Sequence, residues 1–227
     1  SMIAYDINGN IISNWNIPLP EQLSNRLYLV AGKISNDNKV KLVLFDYITG
    51  KLLSMDVENR RVEWFVDLPG NLYPYSLILS DVTGDNNAEI IFFVKGRDGF
   101  GYIHIYTHTG QLLNVISVFS PTDFYFLNTI ISTDVNGDGI NEIVYAGDRL
   151  LFYSWDGSFA VEPVDLGFAI DLLHPIVGDF NNDNYTDVLV SYNDPILGVN
   201  QLHMIRLPHT YRVSQTDWPM LFYDVGD

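Results

Sequence analysis

Three stretches of this chain carry oxygen-bearing side chains at the first, third, fifth and ninth of nine consecutive positions. They are Asp81, Thr83, Asp85 and Glu89; Asp134, Asn136, Asp138 and Glu142; and Asp179, Asn181, Asp183 and Asp187. Tight coiling of such a segment brings three carboxylates and a neutral oxygen toward one point, and the backbone carbonyls of the seventh residues, Asn87, Ile140 and Tyr185, complete the set. Carboxylates crowded in this way repel one another unless a cation neutralises them. Hard oxygen ligands in this number select Ca2+ over transition metals, and a flexible loop disfavours the strict octahedron of Mg2+. The expectation is three Ca2+ sites.

A helix-loop-helix calcium hand is excluded, because its twelfth position requires a bidentate Glu and this chain has Phe92, Tyr145 and Val190 there. A second reading of any single copy is an Asp/Asn-rich turn that caps its own amides. Recurrence three times, in phase with a longer repeat, favours the cation. The copy at Asp134 is the best formed, since Gly137 and Gly139 relieve the turn, and the copy at Asp81 the least, with Thr83 at its third position. A degenerate copy lies upstream, with Lys33 and Lys41 at its first and ninth positions. It is expected to hold no metal, Lys41 replacing the ion by pairing with Asp37.

Each loop lies between two apolar segments, such as Leu77 to Leu79 and Ile90 to Val94, which reads as strand, loop, strand. Downstream comes a strand, a turn containing glycine and another strand, seen around Gly9, Gly50, Gly110 and Gly157. One unit is therefore four strands in about 45 to 50 residues, the size of a propeller blade. No helical apolar stripe is sustained anywhere. The expected fold is all-β, a propeller of about five four-stranded antiparallel blades whose first blade is split or incomplete. The units fall at about 3–26 (partial), 27–72, 73–126, 127–171 and 172–227 of a single domain, with Ser1 and Met2 read as a cloning scar. Residues 217–223 are expected to add a strand, so that strands from the two chain ends share a sheet or the chain is an excerpt of a larger ring.

With these residues in view, the pattern of Asp, Asn, Asp and a ninth-position acid before a β-branched run resembles the FG-GAP (integrin α-type) and VCBS repeats. The resemblance covers residues 27 to about 213 and implies blades with Ca2+ in the loop of the first hairpin. The segment Trp218, Pro219, Met220 also resembles one that follows such repeats in secreted microbial propeller proteins. The dipeptides that name the family are absent at their usual places, so an integrin-like ligand surface does not transfer.

The chain has 12 Lys and Arg against 28 Asp and Glu, a formal charge of −16. Phosphate backbones require clustered cations, so nucleic acid is not an expected partner, nor is an anionic membrane surface. Nine of the acidic residues lie in the three loops, so a good part of the acidity reads as coordination sites. The absence of cysteine excludes a disulfide framework, a thiolate zinc site and a cysteine nucleophile. No apolar run approaches the ~18 residues that span a bilayer.

Nothing nominates catalytic residues. The five histidines have no catalytic spacing, and His104, alternating with Tyr102 and Tyr106, reads as part of a packed sheet face. Most of the aromatic residues follow strand periodicity and are assigned to packing within and between blades. The sequon at Asn184 lies inside an acidic loop, where a glycan would obstruct coiling, and is read as accidental. The expected function is a calcium-binding recognition module of an extracellular or cell-surface protein. It would bind a protein or glycan and have flanking domains, its leader lying outside this sequence. The alternatives are a polysaccharide lyase-like carbohydrate-active enzyme and a scaffold domain of a larger assembly.

Overall fold

The computed structural model describes residues 2–5, 8–17, 23–24, 26–68, 72–96, 100–119, 129–147, 149–165, 175–194 and 199–212. Every regular element among them is a strand, and the strands form five antiparallel sheets in chain order. The first is the hairpin β1 (Met2–Tyr5) and β2 (Ile11–Ile17), around Gly9 at φ 82°. The second holds β3 (Leu27–Lys33), β4 (Val40–Asp46), β5 (Lys51–Asp56) and β6 (Arg61–Asp67). The third holds β7 (Tyr73–Ser80), β8 (Glu89–Lys95), β9 (Phe100–Tyr106) and β10 (Leu112–Phe119). The fourth holds β11 (Ile130–Thr133), β12 (Glu142–Ala146), β13 (Arg149–Tyr153) and β14 (Phe159–Asp165). The fifth has β15 (Ile176–Gly178), β16 (Tyr185–Asp194) and β17 (Val199–Thr210).

Residues of a strand point alternately to the two faces of its sheet, so an unbroken apolar run demands cover on both. That is how β8 is used. Ile90, Phe92 and Val94 pack with Val43, Phe45 and Leu52 of the second sheet, while Ile91 and Phe93 pack with Ile130, Ile143 and Tyr145 of the fourth. β12 repeats the arrangement one sheet on, with Val144 and Ala146 facing Val188 and Val190. Aromatic pairs bridge the interfaces, Phe45 to Phe92 at 5.0 Å and Phe93 to Tyr145 at 5.2 Å between ring centroids. His104 belongs to this packing. It is buried and stacks on Phe92 at 4.9 Å, and burial pushes its imidazole down to about 4.

The first strands of successive sheets lie side by side, β7 touching both β3 and β11, so the sheets radiate from one line as blades do. The outermost strands are joined across blades by a recurring latch. The indole N–H of Trp64 on β6 donates to the carbonyl of His108 in the β9–β10 turn, at 2.9 Å. The side-chain amide of Asn114 on β10 donates to the carbonyl of Trp155 in the equivalent β13–β14 turn, at 3.1 Å. Gly110 is required there, because a Cβ would lie 2.8 Å from the Trp64 ring and its φ is 83°.

One detail differs from the sequence reading. The Gly50 turn joins β4 to β5, not the third strand to the fourth; in that blade the last hairpin turns at residues 57–60, where Arg60 takes φ 55°. A glycine after a polar residue marks a tight hairpin without saying which hairpin of the blade it closes. The expected strand at 217–223, and with it the sharing of a sheet by the two chain ends, lies outside the described residues.

Phe93 is fully buried between two blades, so Phe93→Ala is expected to cost about 3–5 kcal/mol in urea unfolding. Leu202→Ala, at an exposed position of β17, is expected to change stability by less than about 0.5 kcal/mol.

Candidate metal loops at one rim

The four acidic loops each join the first strand of a blade to the second and therefore lie at the same end of their sheets. Residues 33–41, 81–89, 134–142 and 179–187 are termed loops one to four. The three intact loops are wound by the same local devices. Their fourth and sixth residues take left-handed φ, Gly84 and Asn86, Gly137 and Gly139, Asn182 and Asn184, from 59° to 93°. Glycine and asparagine are the residues that tolerate this region. The first-position carboxylate caps the amides so exposed. Asp81 Oδ2 accepts from Asn86 N at 2.8 Å, Asp134 Oδ2 from Gly139 N at 2.9 Å, and Asp179 Oδ2 from Asn184 N at 2.9 Å. The fifth-position carboxylates of Asp85, Asp138 and Asp183 accept from the N–H of Asn87, Ile140 and Tyr185 at 2.7, 2.8 and 2.9 Å.

The ninth-position carboxylate opens the second strand in loops two and three, lies two residues into it in loop four, and is buried in all three. Glu89, Glu142 and Asp187 are 1%, 2% and 0% exposed. Each accepts one hydrogen bond from the second residue of its loop, Val82, Val135 or Phe180. Burial, reinforced by the neighbouring aspartates, pushes Glu89 up to about 7 and Glu142 up to about 8. No three carboxylate, imidazole or thiol groups among the described residues converge closely enough to hold a metal ion as placed. The loops are instead closed on their own amides.

The donor set nevertheless fits a hard cation, because positive or hydrogen-bearing groups are drawn to it wherever they are available. In loop three the Asn136 amide nitrogen sits 3.0 Å from both Asp138 Oδ2 and Glu142 Oε1. In loop four Arg206 lies 3.3 Å from Asp183 and over the Tyr185 ring at 3.9 Å, while the buried Asp187 Oδ1 has no partner. In loop two the buried hydroxyl of Thr83 lies beside the Glu89 carboxylate. A divalent ion would supply the charge these oxygens lack. Asp81, Thr83, Asp85 and Glu89 would hold it in loop two, Asp134, Asn136, Asp138 and Glu142 in loop three, and Asp179, Asn181, Asp183 and Asp187 in loop four, each with its seventh-position carbonyl.

Loop one carries its own cation. Lys41, 4% exposed, reaches Asp37 at 3.2 Å as its sequence suggested, and also Glu63 at 2.7 Å and Asp56 at 3.7 Å. Burial opposes the ammonium, but hydrogen bonds to Glu63 and Asp37 outweigh it and hold the lysine above its usual range. Glu63 and Asp56 escaped sequence reasoning because they lie on other strands of the blade. Arg206 escaped it because β17 pairs with β16 to set it against Asp187. Of the sequon, Asn184 is exposed and Thr186 is fully buried.

Comparison with known proteins places the repeat. Residues 134–190, from the first acid of loop three to the end of the apolar run after loop four, match the FG-GAP-like repeat. Over 155 residues, 56% of this chain, the sequence is 23% identical to integrin alpha-8 of Mus musculus and 22% identical to that of Homo sapiens. The chain spans 14% of the length of these relatives. Among solved structures, BBS1N in complex with ARL6DN superposes with a TM-score of 0.50 at 16% identity, covering 87% of this chain and 58% of that one. The all-β propeller architecture and the FG-GAP character of the repeat thus agree with the sequence reading.

Two outcomes are expected. Glu89 and Glu142 bind protons more tightly folded than unfolded, where their ordinary value is 4.5. Their contribution to stability is therefore fully present below about pH 4.5 and is lost as the pH rises through 7 to 8. In EDTA the melting temperature should fall between pH 6 and pH 9, and Glu89→Gln with Glu142→Gln should flatten that fall. Lys41→Met should lower the melting temperature by several degrees, equally with calcium and with EDTA.

Proposed function

We propose that this chain is a calcium-stabilised propeller module for recognition, serving a secreted or cell-surface protein. The observation that carries the reading is the buried ninth-position carboxylate, repeated in three loops beside two further acids of the same loop. A buried carboxylate with only one or two hydrogen bonds is costly to keep ionised, and a divalent cation that shares it offsets the cost. Loop one supports the same logic, since the blade without the acidic set holds a lysine at that position.

The metal is structural in this reading. It pins the hairpin between the two innermost strands of each blade and so steadies the rim. Affinities on the order of 10⁻⁴ to 10⁻³ M, typical of extracellular modules, suit the calcium outside cells. The acidic loops expose Ile140, Phe180 and Tyr185 among their acids, apolar side chains of the kind that contact a protein or sugar surface. Recognition of a protein partner draws support from the BBS1N structure, which is described in complex with ARL6DN.

At about 5 mM calcium each site of this affinity stabilises the fold by about 1–2 kcal/mol, so calorimetric unfolding is expected to show a clearly higher melting temperature in calcium than in EDTA. Asp138→Asn, which keeps an acceptor for the Ile140 amide, should lower stability in calcium and leave it nearly unchanged in EDTA. Identical melting in calcium and EDTA for the unmodified chain would sink the proposal.

A further inference from the structure

Loops two and three are in direct contact, and the contact runs between residues adjacent to the ligand positions. Ser80, the last residue of β7, immediately precedes Asp81; Asn141 immediately precedes Glu142. The Asn141 side-chain amide donates to Ser80 Oγ at 2.9 Å, and Ser132 Oγ of β11 donates to the same oxygen at 2.9 Å. All three residues are buried, Ser80 and Ser132 completely and Asn141 to 2% exposure, so water does not substitute for these bonds. A second contact lies at the loop surfaces. The Ile140 side chain covers Gly84, where a Cβ would lie 3.2 Å from it. Thus the seventh and eighth residues of loop three rest on the fourth residue of loop two and on the residue before its first ligand.

Resting on the calcium reading above, we propose that ion binding to loops two and three is cooperative, each bound ion raising the affinity of the other loop through the Asn141–Ser80 hydrogen bond and the Ile140–Gly84 contact. An empty loop must order its backbone and bring repelling carboxylates together before it binds. A neighbour already fixed by its ion holds Ser80 or Asn141 in place and removes part of that cost. Such coupling is reciprocal by necessity. Loop one enters the same chain of contacts through Ala88 N, which donates to Ile34 O at 3.1 Å, but it is closed by Lys41 at all times and lends loop two a constant support.

The glycines of the loops report the two sites separately. Gly84 N donates to Asp81, and Gly137 N and Gly139 N donate to Asp134. In protein labelled with 15N-glycine, the Gly84 signal follows loop two and the Gly137 and Gly139 signals follow loop three as calcium is added. Loop two is disabled by Asp85→Asn with Glu89→Gln, each of which keeps the one acceptor oxygen that its backbone N–H partner uses. The Gly139 midpoint should then move to calcium concentrations higher by about five-fold or more. In an Asn141→Ala background, or in Ser80→Ala if that variant does not fold, disabling loop two should move it by a clearly smaller factor, the Ile140–Gly84 contact remaining. An unchanged Gly139 midpoint when loop two is disabled in the otherwise intact protein overturns the coupling while leaving calcium binding intact. Glycine signals that ignore calcium in the unmodified chain overturn the calcium reading, and the coupling with it.

Discussion

The structure depends on one constraint: the middle strands of its blades are apolar on both faces, so no sheet is stable alone. Ile91 and Phe93 need the fourth sheet as much as Ile90 and Phe92 need the second. At about 25 cal/mol per Å2 of apolar surface, leaving either face wet would forfeit more than a sheet of four short strands can supply from its own pairing. Each blade therefore exists by virtue of its neighbours, and the side-by-side first strands and the Trp64 and Asn114 latches follow from bringing flat faces together.

Where the first strands meet, space is short, and the chain reverses there through nine residues. Reversal within that length requires left-handed backbone at two positions and leaves several amides unpaired, which the aspartates cap. The same capping concentrates negative charge at a rim whose inner edge is buried. Charge in a dry place needs an answer, and the chain provides more than one. Loop one answers with Lys41, loop four in part with Arg206, and loop three turns an asparagine amide between two carboxylates. These are graded solutions to one electrostatic problem, and they differ in the number of fixed cations within reach.

Much of this was legible in the residues. The phase of the acidic loops marked out the blades, and the apolar run of β8 read as a strand, though not as one covered on both faces. His104 read as a packed residue and lies stacked on Phe92. The Gly50 turn was assigned to the wrong hairpin, because a turn motif specifies a reversal and not its place in a blade. Glu63 and Arg206 gave no signal, since nothing local ties a residue on an outer strand to a loop 20 or so positions away.

By itself the sequence determined what is local: the winding of each loop, set by glycine or asparagine at the fourth and sixth positions and by an aspartate two residues before the amide it caps. Those interactions span at most the length of the loop, so the residues that make them are written side by side. Only the tertiary structure decided what the loops experience. The burial of Glu89, Glu142 and Asp187, the three acids around Lys41 and the bond from Asn141 to Ser80 all arise where strands and blades pack. Desolvation and Coulomb forces act through space, and residues 61 apart in the chain, as Asn141 and Ser80 are, become neighbours only when the blades close.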